Sequence, residues 1–336
     1  MSQTMNNTTA NASNESSTAE NSVDHAYIHF TIAALICIVI CLIGVVGNVT
    51  VFLYLCMKIK KNKYTIYIIN LSVADFIYLV FSALTLMMYV NTLLNNKPDF
   101  PGKESFLTFL EIFYDCAQYS GMFILTAISL ERCLSVLFPI WYQCDRPRNL
   151  STIICASAWL IGCSEGLIEN LVCTQEAFTG RTTECTAVQI MTFGLSIVIC
   201  LPIMVISSFI LLINIRRTFS DQYPMRLYII IIVAVVIFIS SVIPFNVTWF
   251  LMYFRLLPSE DHILAIYFAS IYSTVLNCTL DPYIYFLIGK KWKQKTRQTI
   301  QDALEEAFRI ENHKNNNAIS NKTSGTSSQI HLPSTS

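Results

Sequence analysis

The sequence predicts an all-α membrane protein, a seven-transmembrane helix bundle with its N-terminus outside and a C-terminal amphipathic helix. Three observations predict it. The 336 residues are 54% hydrophobic and only 13% charged, against about 25% charged in a soluble domain. Seven apolar runs are each long enough to cross a hydrocarbon layer of about 30 Å, which takes about 20 residues of helix. Lys and Arg crowd alternate connections between those runs.

The runs are Ile28–Met57, Tyr64–Val90, Phe106–Leu137, Ile153–Val172, Val188–Ile213, Leu227–Phe254 and Ile263–Ile288. Several exceed the minimum, which allows tilt or extension into water. Only helices and closed barrels satisfy the backbone inside lipid. Runs this long and continuous are not barrel strands. The first 27 residues contain no Lys or Arg and no short apolar core with a cleavage site, so the first span is expected to act as an uncleaved anchor.

Orientation follows the basic residues. One side carries Lys58, Lys60, Lys61 and Lys63, then Arg132, Arg146 and Arg148, then Arg216, Arg217 and Arg226, then Lys290, Lys291, Lys293, Lys295 and Arg297. The other carries Lys97, Lys103, Arg181 and Arg255. The richer side faces the cytoplasm. The 1–27 tail then lies outside, where the N-x-S/T acceptors at Asn6, Asn7, Asn11 and Asn14 are glycosylation candidates. Net charge is zero, so there is no general attraction to nucleic acid.

Of twelve cysteines, only Cys173 and Cys185 sit at the outer ends of spans four and five. A bridge there would close a loop of about a dozen residues and contribute on the order of 3 kcal/mol. Two free thiols are the alternative; the oxidising exterior favours the bridge.

An adjacent Glu131–Arg132 pair ends the third run. Glu131 neutralising Arg132 at the interface, with helix movement releasing it, makes a two-state switch. The plainer alternative is an interfacial ion pair that anchors the helix. Polar residues recur in the other runs: "GNVTV" at Gly47–Val51, "NLSVAD" at Asn70–Asp75, Trp159, Pro202, Pro244, and "NCTLDPYIYF" with Asn277, Asp281, Pro282 and Tyr285. Pro202, Pro244 and Pro282 each remove a backbone bond and bend a helix.

In this order, one motif per span, the set resembles the class A, rhodopsin-like, G-protein-coupled receptors, from Ile28 to about Phe308. The segment "ERCLSVLFPIWYQCDRPRN", the short connection "RRTFSDQYPMRLY" and the Ser207–Ser208 pair resemble the Mas-related receptors. Those receptors also lack the usual span-three cysteine, where this chain has Leu107, and bridge the tops of spans four and five instead. The resemblance implies a plasma-membrane receptor that activates a heterotrimeric G protein, Gq-type first and Gi next. Glu131, Arg132 and Tyr285 would form the G-protein switch. Asn48, Asp75, Asn277 and Asp281 would form a sodium site, the only cofactor expected, although Gly121 replaces a family serine and Asp281 a family asparagine. Val242 replaces a span-six tryptophan and Ile210 a span-five tyrosine, which points to ligand sensing high in the bundle.

On the ligand side, Glu169 occupies a position where Mas-related receptors carry a glutamate for cationic ligands; an ion pair with Arg181 is its plain alternative. Gln189 stands where some members have a second acid, which weakens the expectation of a strongly dicationic ligand. Tyr114 replaces the aspartate of amine receptors, and Asp115 is turned about 100° from it. Trp249 and Tyr253 offer cation–π faces. The implied ligand is an extracellular peptide or cationic amphiphile.

Residues 289–310 place Trp292, Ile300, Ala303, Leu304, Ala307 and Phe308 on one face behind a basic start, an interfacial amphipathic helix. Residues 311–336 are polar and rich in Ser and Thr, hence expected to be disordered, with phosphorylation candidates for arrestin docking. A transporter or channel is the rival class, but the chain shows no internal duplication. A retinal pigment needs a lysine in the last span, which has none. No metal cluster, phosphate loop or nucleophile–base set supports an enzyme.

Overall fold

The computed structural model describes residues 3–57, 63–95, 101–217, 225–256 and 263–289. Its long helices are α1 (Gln3–Met57), α2 (Thr65–Asn95), α3 (Lys103–Leu137), α5 (Leu150–Val172), α7 (Thr183–Phe193), α8 (Leu201–Arg217), α9 (Met225–Tyr253) and α10 (Ile263–Gly289). Two short helices, α4 (Pro139–Cys144) and α6 (Gln175–Gly180), lie in connections. Among the described residues, five stretches are long and apolar enough to cross a membrane: Ile28–Met57, Thr65–Thr92, Lys103–Leu137, Leu150–Val172 and Thr183–Asn214. α9 and α10 add 29 and 27 residues of helix at the sixth and seventh predicted runs.

Two features go beyond the sequence reading. α1 continues back through the 1–27 tail to Gln3, so Asn6, Asn7, Asn11 and Asn14 lie on helical backbone. No Gly or Pro interrupts that stretch before Gly44, so nothing in it breaks a helix. The fifth span is continuous but contains a π-helical turn, Gly194–Cys200, just before Pro202. Its bend therefore involves a widened turn as well as the proline. Pro244 and Pro282 lie inside α9 and α10 as expected. α4 starts with Pro139 in its first turn, where a missing N–H costs nothing. The predicted amphipathic helix beyond Gly289, the 311–336 tail, Lys58, Lys60 and Lys61 lie outside the described residues, as does the side chain of Tyr285.

The helices form a ring with α3 at its centre. α1 packs between α2 and α10, α10 pairs with α9, and α3 touches α2, α5, α8 and α9. One apolar cluster joins Leu55, Tyr67, Ile68, Leu125 and Met204; a second joins Cys41, Tyr78, Leu79 and Val275. Val46, Leu160, Val198 and Phe209 are exposed on the outside. Such a belt would be a liability in water and is the expected face toward lipid.

α3 and α5 approach each other backbone to backbone. A Cβ added at Gly162 would lie 2.5 Å from the Ser120 nitrogen and 2.8 Å from its Cα, and one added at Gly166 would lie 2.8 Å from the Cys116 nitrogen. Gly162 and Gly166 form a G-x-x-x-G pair, the spacing that lets two membrane helices approach backbone to backbone. Trp159, one turn before, donates its indole N–H to Asn70 Oδ1 at 3.2 Å and ties α2 to the same seam.

Gly162→Leu is expected to push α5 away, with a cost of about 1–3 kcal/mol or more from overpacking. Surface expression and unfolding temperature should both fall. Gly180→Ala, at a site with open space around it, should change neither.

Candidate functional site

Three polar clusters lie along α3: at the outer end, at mid-membrane and at the inner end.

At the outer end, Cys173 at the close of α5 and Cys185 in the first turn of α7 form a disulfide. Thr182 caps α7 by accepting from the Cys185 N–H at 3.3 Å. The bridge places Gln189, one turn further, opposite Glu169. Gln189 Nε2 donates to Glu169 Oε1 at 3.0 Å, and the Tyr119 hydroxyl donates to Glu169 Oε2. The Trp249 side chain also turns toward this carboxylate. Arg181, the expected alternative partner, gives way to these neutral donors. Asp115 accepts from Asn170 Nδ2 at 2.8 Å. Tyr114, as its position on α3 requires, faces away: its ring meets Tyr78 edge-on at 6.0 Å and lines a small cavity with Ser82, Thr85 and Ile271.

Tyr253 does not offer an open ring face. It is 2% exposed, its hydroxyl lies 2.7 Å from Thr186 Oγ1, and Phe178 of α6 packs edge-on against it at 4.9 Å. Phe178 also meets the Trp249 ring at 5.2 Å. α6 thus closes over the outer end of α9. Sequence reasoning missed Phe178 and Tyr119, since neither belongs to a motif and both act only through the fold.

At mid-membrane, Asp75, Asn277 and Asp281 line one cavity of about 20 Å³ together with Gly121. That volume holds one water-sized occupant. Asp75 Oδ2, Asn277 Oδ1 and both carboxylate oxygens of Asp281 are buried without a hydrogen-bond partner. Asn48 is not part of this lining. Its amide donates to the carbonyls of Gly44 and Cys278, each at 3.0 Å, and locks α1 to α10.

At the inner end, the expected Glu131–Arg132 pairing is replaced by a longer-range one. Glu131 pairs with Arg146, and its Oε1 also accepts from the Tyr142 hydroxyl at 3.0 Å. Arg146 donates onward to Ser151 Oγ at 2.6 Å. Lys63 donates to the Tyr142 carbonyl at 3.2 Å. Arg132 instead lies over the Tyr64 ring, 3.8 Å from its centroid. The reason is elementary: adjacent residues on a helix diverge by about 100° and do not face each other. Arg146 and Tyr142 were not legible as partners, because only the turn of α4 brings "CDRPRN" back under α3.

Comparison with known proteins agrees with this architecture. The family model for the 7 transmembrane receptor (rhodopsin family) matches residues 47–285. The chain is 32% identical over 270 residues to "Proto-oncogene Mas" of Mus musculus, covering 80% of this chain and 81% of that protein. It is 30% identical over 274 residues to "Mas-related G-protein coupled receptor member D" of Rattus norvegicus, covering 80% and 83%. It is 30% identical over 281 residues to "Mas-related G-protein coupled receptor member X2" of Rhinopithecus bieti, covering 80% and 82%. These relatives are receptors, which does not favour a transporter or channel. The apolar helical spans, the Cys173–Cys185 bridge and these matches lead to one conclusion: the chain belongs to the Mas-related receptors within the rhodopsin family, and is a multi-pass plasma-membrane G-protein-coupled receptor, not an enzyme.

Proposed function

We propose that this receptor senses an extracellular cationic ligand, a basic peptide or cationic amphiphile, at Glu169 and passes the signal to a Gq-type heterotrimeric G protein at Arg132. The observation that carries the reading is the buried outer-end carboxylate of Glu169, held on neutral donors and 9% exposed. A carboxylate already oriented by Tyr119 and Gln189 can accept a charge-assisted bond without reorganising. Trp249 supplies an adjacent aromatic face. The basic-residue pattern puts this end outside the cell and the Glu131–Arg146 cluster inside.

The inner cluster reads as a latch. Glu131 and Arg146 tie the end of α3 to the connection that leads into α5, with Tyr142 as a third member. A shift that parts α3 from that connection frees the Arg132 face for the G protein. Phosphorylation of the Ser/Thr-rich tail for arrestin, and glycans at Asn6, Asn7, Asn11 and Asn14, belong to the same reading.

The mid-membrane cavity fits a sodium ion. Its unpartnered oxygens are hard donors of the kind alkali cations take. Two carboxylates facing each other in a dry space need a cation or a shared proton between them. Asp75, Asn277 and Asp281 would hold the ion and keep α2 and α10 together in the resting bundle.

Three measurements test these assignments. In a calcium-readout screen of basic peptides and amines, Glu169→Gln should lower the potency of an active ligand by about tenfold or more, the worth of one charge-assisted bond. Unchanged potency removes Glu169 from the site. Arg132→Ala should abolish GTP exchange with surface expression intact, whereas Arg146→Ala should raise basal exchange several-fold. A silent Arg146→Ala receptor with normal expression would rule out the latch. Replacing choline chloride with sodium chloride at equal ionic strength should raise the unfolding temperature of the purified wild type. Asp281→Asn should flatten that response. Gly121→Ser has room, with the nearest atom 3.7 Å from its Cβ, and should strengthen the response by adding a hydroxyl.

A further inference from the structure

α5 presents one buried stripe to the bundle: Ser151, Cys155, Ala158, Gly162, Glu165, Gly166 and Glu169. Gly162 and Gly166 hold this stripe against α3, so Glu165 faces protein and not lipid. It is 3% exposed. Glu165 sits four residues before Glu169, one helical turn deeper on the same side.

The two acids are supplied differently. Glu169 receives hydrogen bonds from Gln189 and Tyr119. Both oxygens of Glu165 are buried with no donor among the described residues. The Thr192 hydroxyl on α7 lies close enough to act on this carboxyl, but it is itself buried with no partner within hydrogen-bond geometry. One turn on, Ser196 in the π-helical turn spends its hydroxyl on the Thr192 carbonyl at 2.9 Å. Asp115 on α3 adds a further acid within electrostatic reach of both glutamates.

No basic side chain of the surrounding elements can serve Glu165. α5, and the stretch from Thr183 to Asn214, contain no Lys or Arg. α3 has only Lys103 and Arg132, at its two ends; Lys103 donates to Thr92, and Arg132 lies on Tyr64. Arg226 lies at the opposite end of α9. A carboxylate this deeply buried with no donor is costly unless something outside the chain completes it.

We infer that Glu165 is a second anionic subsite, one turn beneath Glu169, which receives the inner nitrogen of a dication. The two nitrogens, ammonium or guanidinium, lie about 5–6 Å apart, the separation of side chains four residues apart on a helix. The outer nitrogen meets Glu169; the inner one enters between α3, α5 and α7 and meets the two free oxygens of Glu165, with Asp115 adding to the field. Gln189 contributes no charge, so the acids that select a dication lie on α3 and α5. This subsite rests on the reading of Glu169 as a cation site and adds spacing and charge number to it.

The test uses the purified full-length receptor and two small probes, n-butylamine and its diamine analogue putrescine. Thermal unfolding is followed against the concentration of each for the wild type, Glu165→Gln, Glu165→Asp and Glu169→Gln. In the wild type putrescine should stabilise at about tenfold lower concentration than butylamine, as one additional charged hydrogen bond requires. The gap should close in Glu165→Gln and survive in part in Glu165→Asp, which keeps the charge. Equal potency of the two probes on the wild type overturns the subsite without reference to any variant. So does a gap that persists in Glu165→Gln. If both probes act equally on the wild type and fail on Glu169→Gln, the Glu169 reading stands and the deeper subsite falls. If the gap depends on Glu165 but neither probe is weakened by Glu169→Gln, the outer nitrogen does not meet Glu169, and the two-point dication site falls together with the Glu169 reading.

Discussion

The seam between α3 and α5 is the contact on which the rest of the structure depends. Two glycines four residues apart let the helix backbones approach closely. In lipid there is no hydrophobic force to press helices together, so small residues and interhelical hydrogen bonds do that work. The seam sets the positions of both functional ends. Above it, Asp115 and Tyr119 on α3 meet Asn170 and Glu169 on α5. Below it, Glu131 on α3 meets Arg146 in the segment that leads into α5. A rotation of one helix against the other would disturb both ends together.

α3 is the axis on which the polar groups are strung. Its outer turns serve the disulfide-bounded acids, Gly121 opens onto the cavity of Asp75 and Asp281, and its last turns hold Glu131 and Arg132. Buried polar groups in a low-dielectric interior are expensive when unpartnered and strong when paired. Both oxygens of Glu169 accept hydrogen bonds, whereas Glu131 takes Arg146 and Tyr142 on Oε1 and keeps Oε2 buried without a partner. Glu165 and Asp281 have no partner on either oxygen, and Asp75 has none on Oδ2. The described structure therefore holds buried carboxylate oxygens without partners along the inner face of the bundle.

The fifth span adds a place where the helix is less tightly wound. The π-helical turn Gly194–Cys200 lies just before Pro202. Such turns trade regular hydrogen bonding for a local change in side-chain direction. Here Thr192 and Ser196 are both brought to the buried side, with Gly194 in open space.

The class, the apolar spans, the expected sidedness and the outer pair of cysteines were legible in the residues alone. The physical reason is that lipid imposes a length and composition on every spanning helix, and that charge and oxidation differ across the membrane. The α-helical period also separated Tyr114 from Asp115 correctly, since direction around one helix is a local property. Partners across helices were decided only by tertiary structure. Glu131 takes Arg146 in place of its neighbour Arg132; Asn48 joins Gly44 and Cys278 and leaves the Asp75 cavity; Tyr253 is covered by Phe178. Each of these depends on the rotation of one helix against another and on where a connecting turn brings the chain back. A single sequence carries no measure of either.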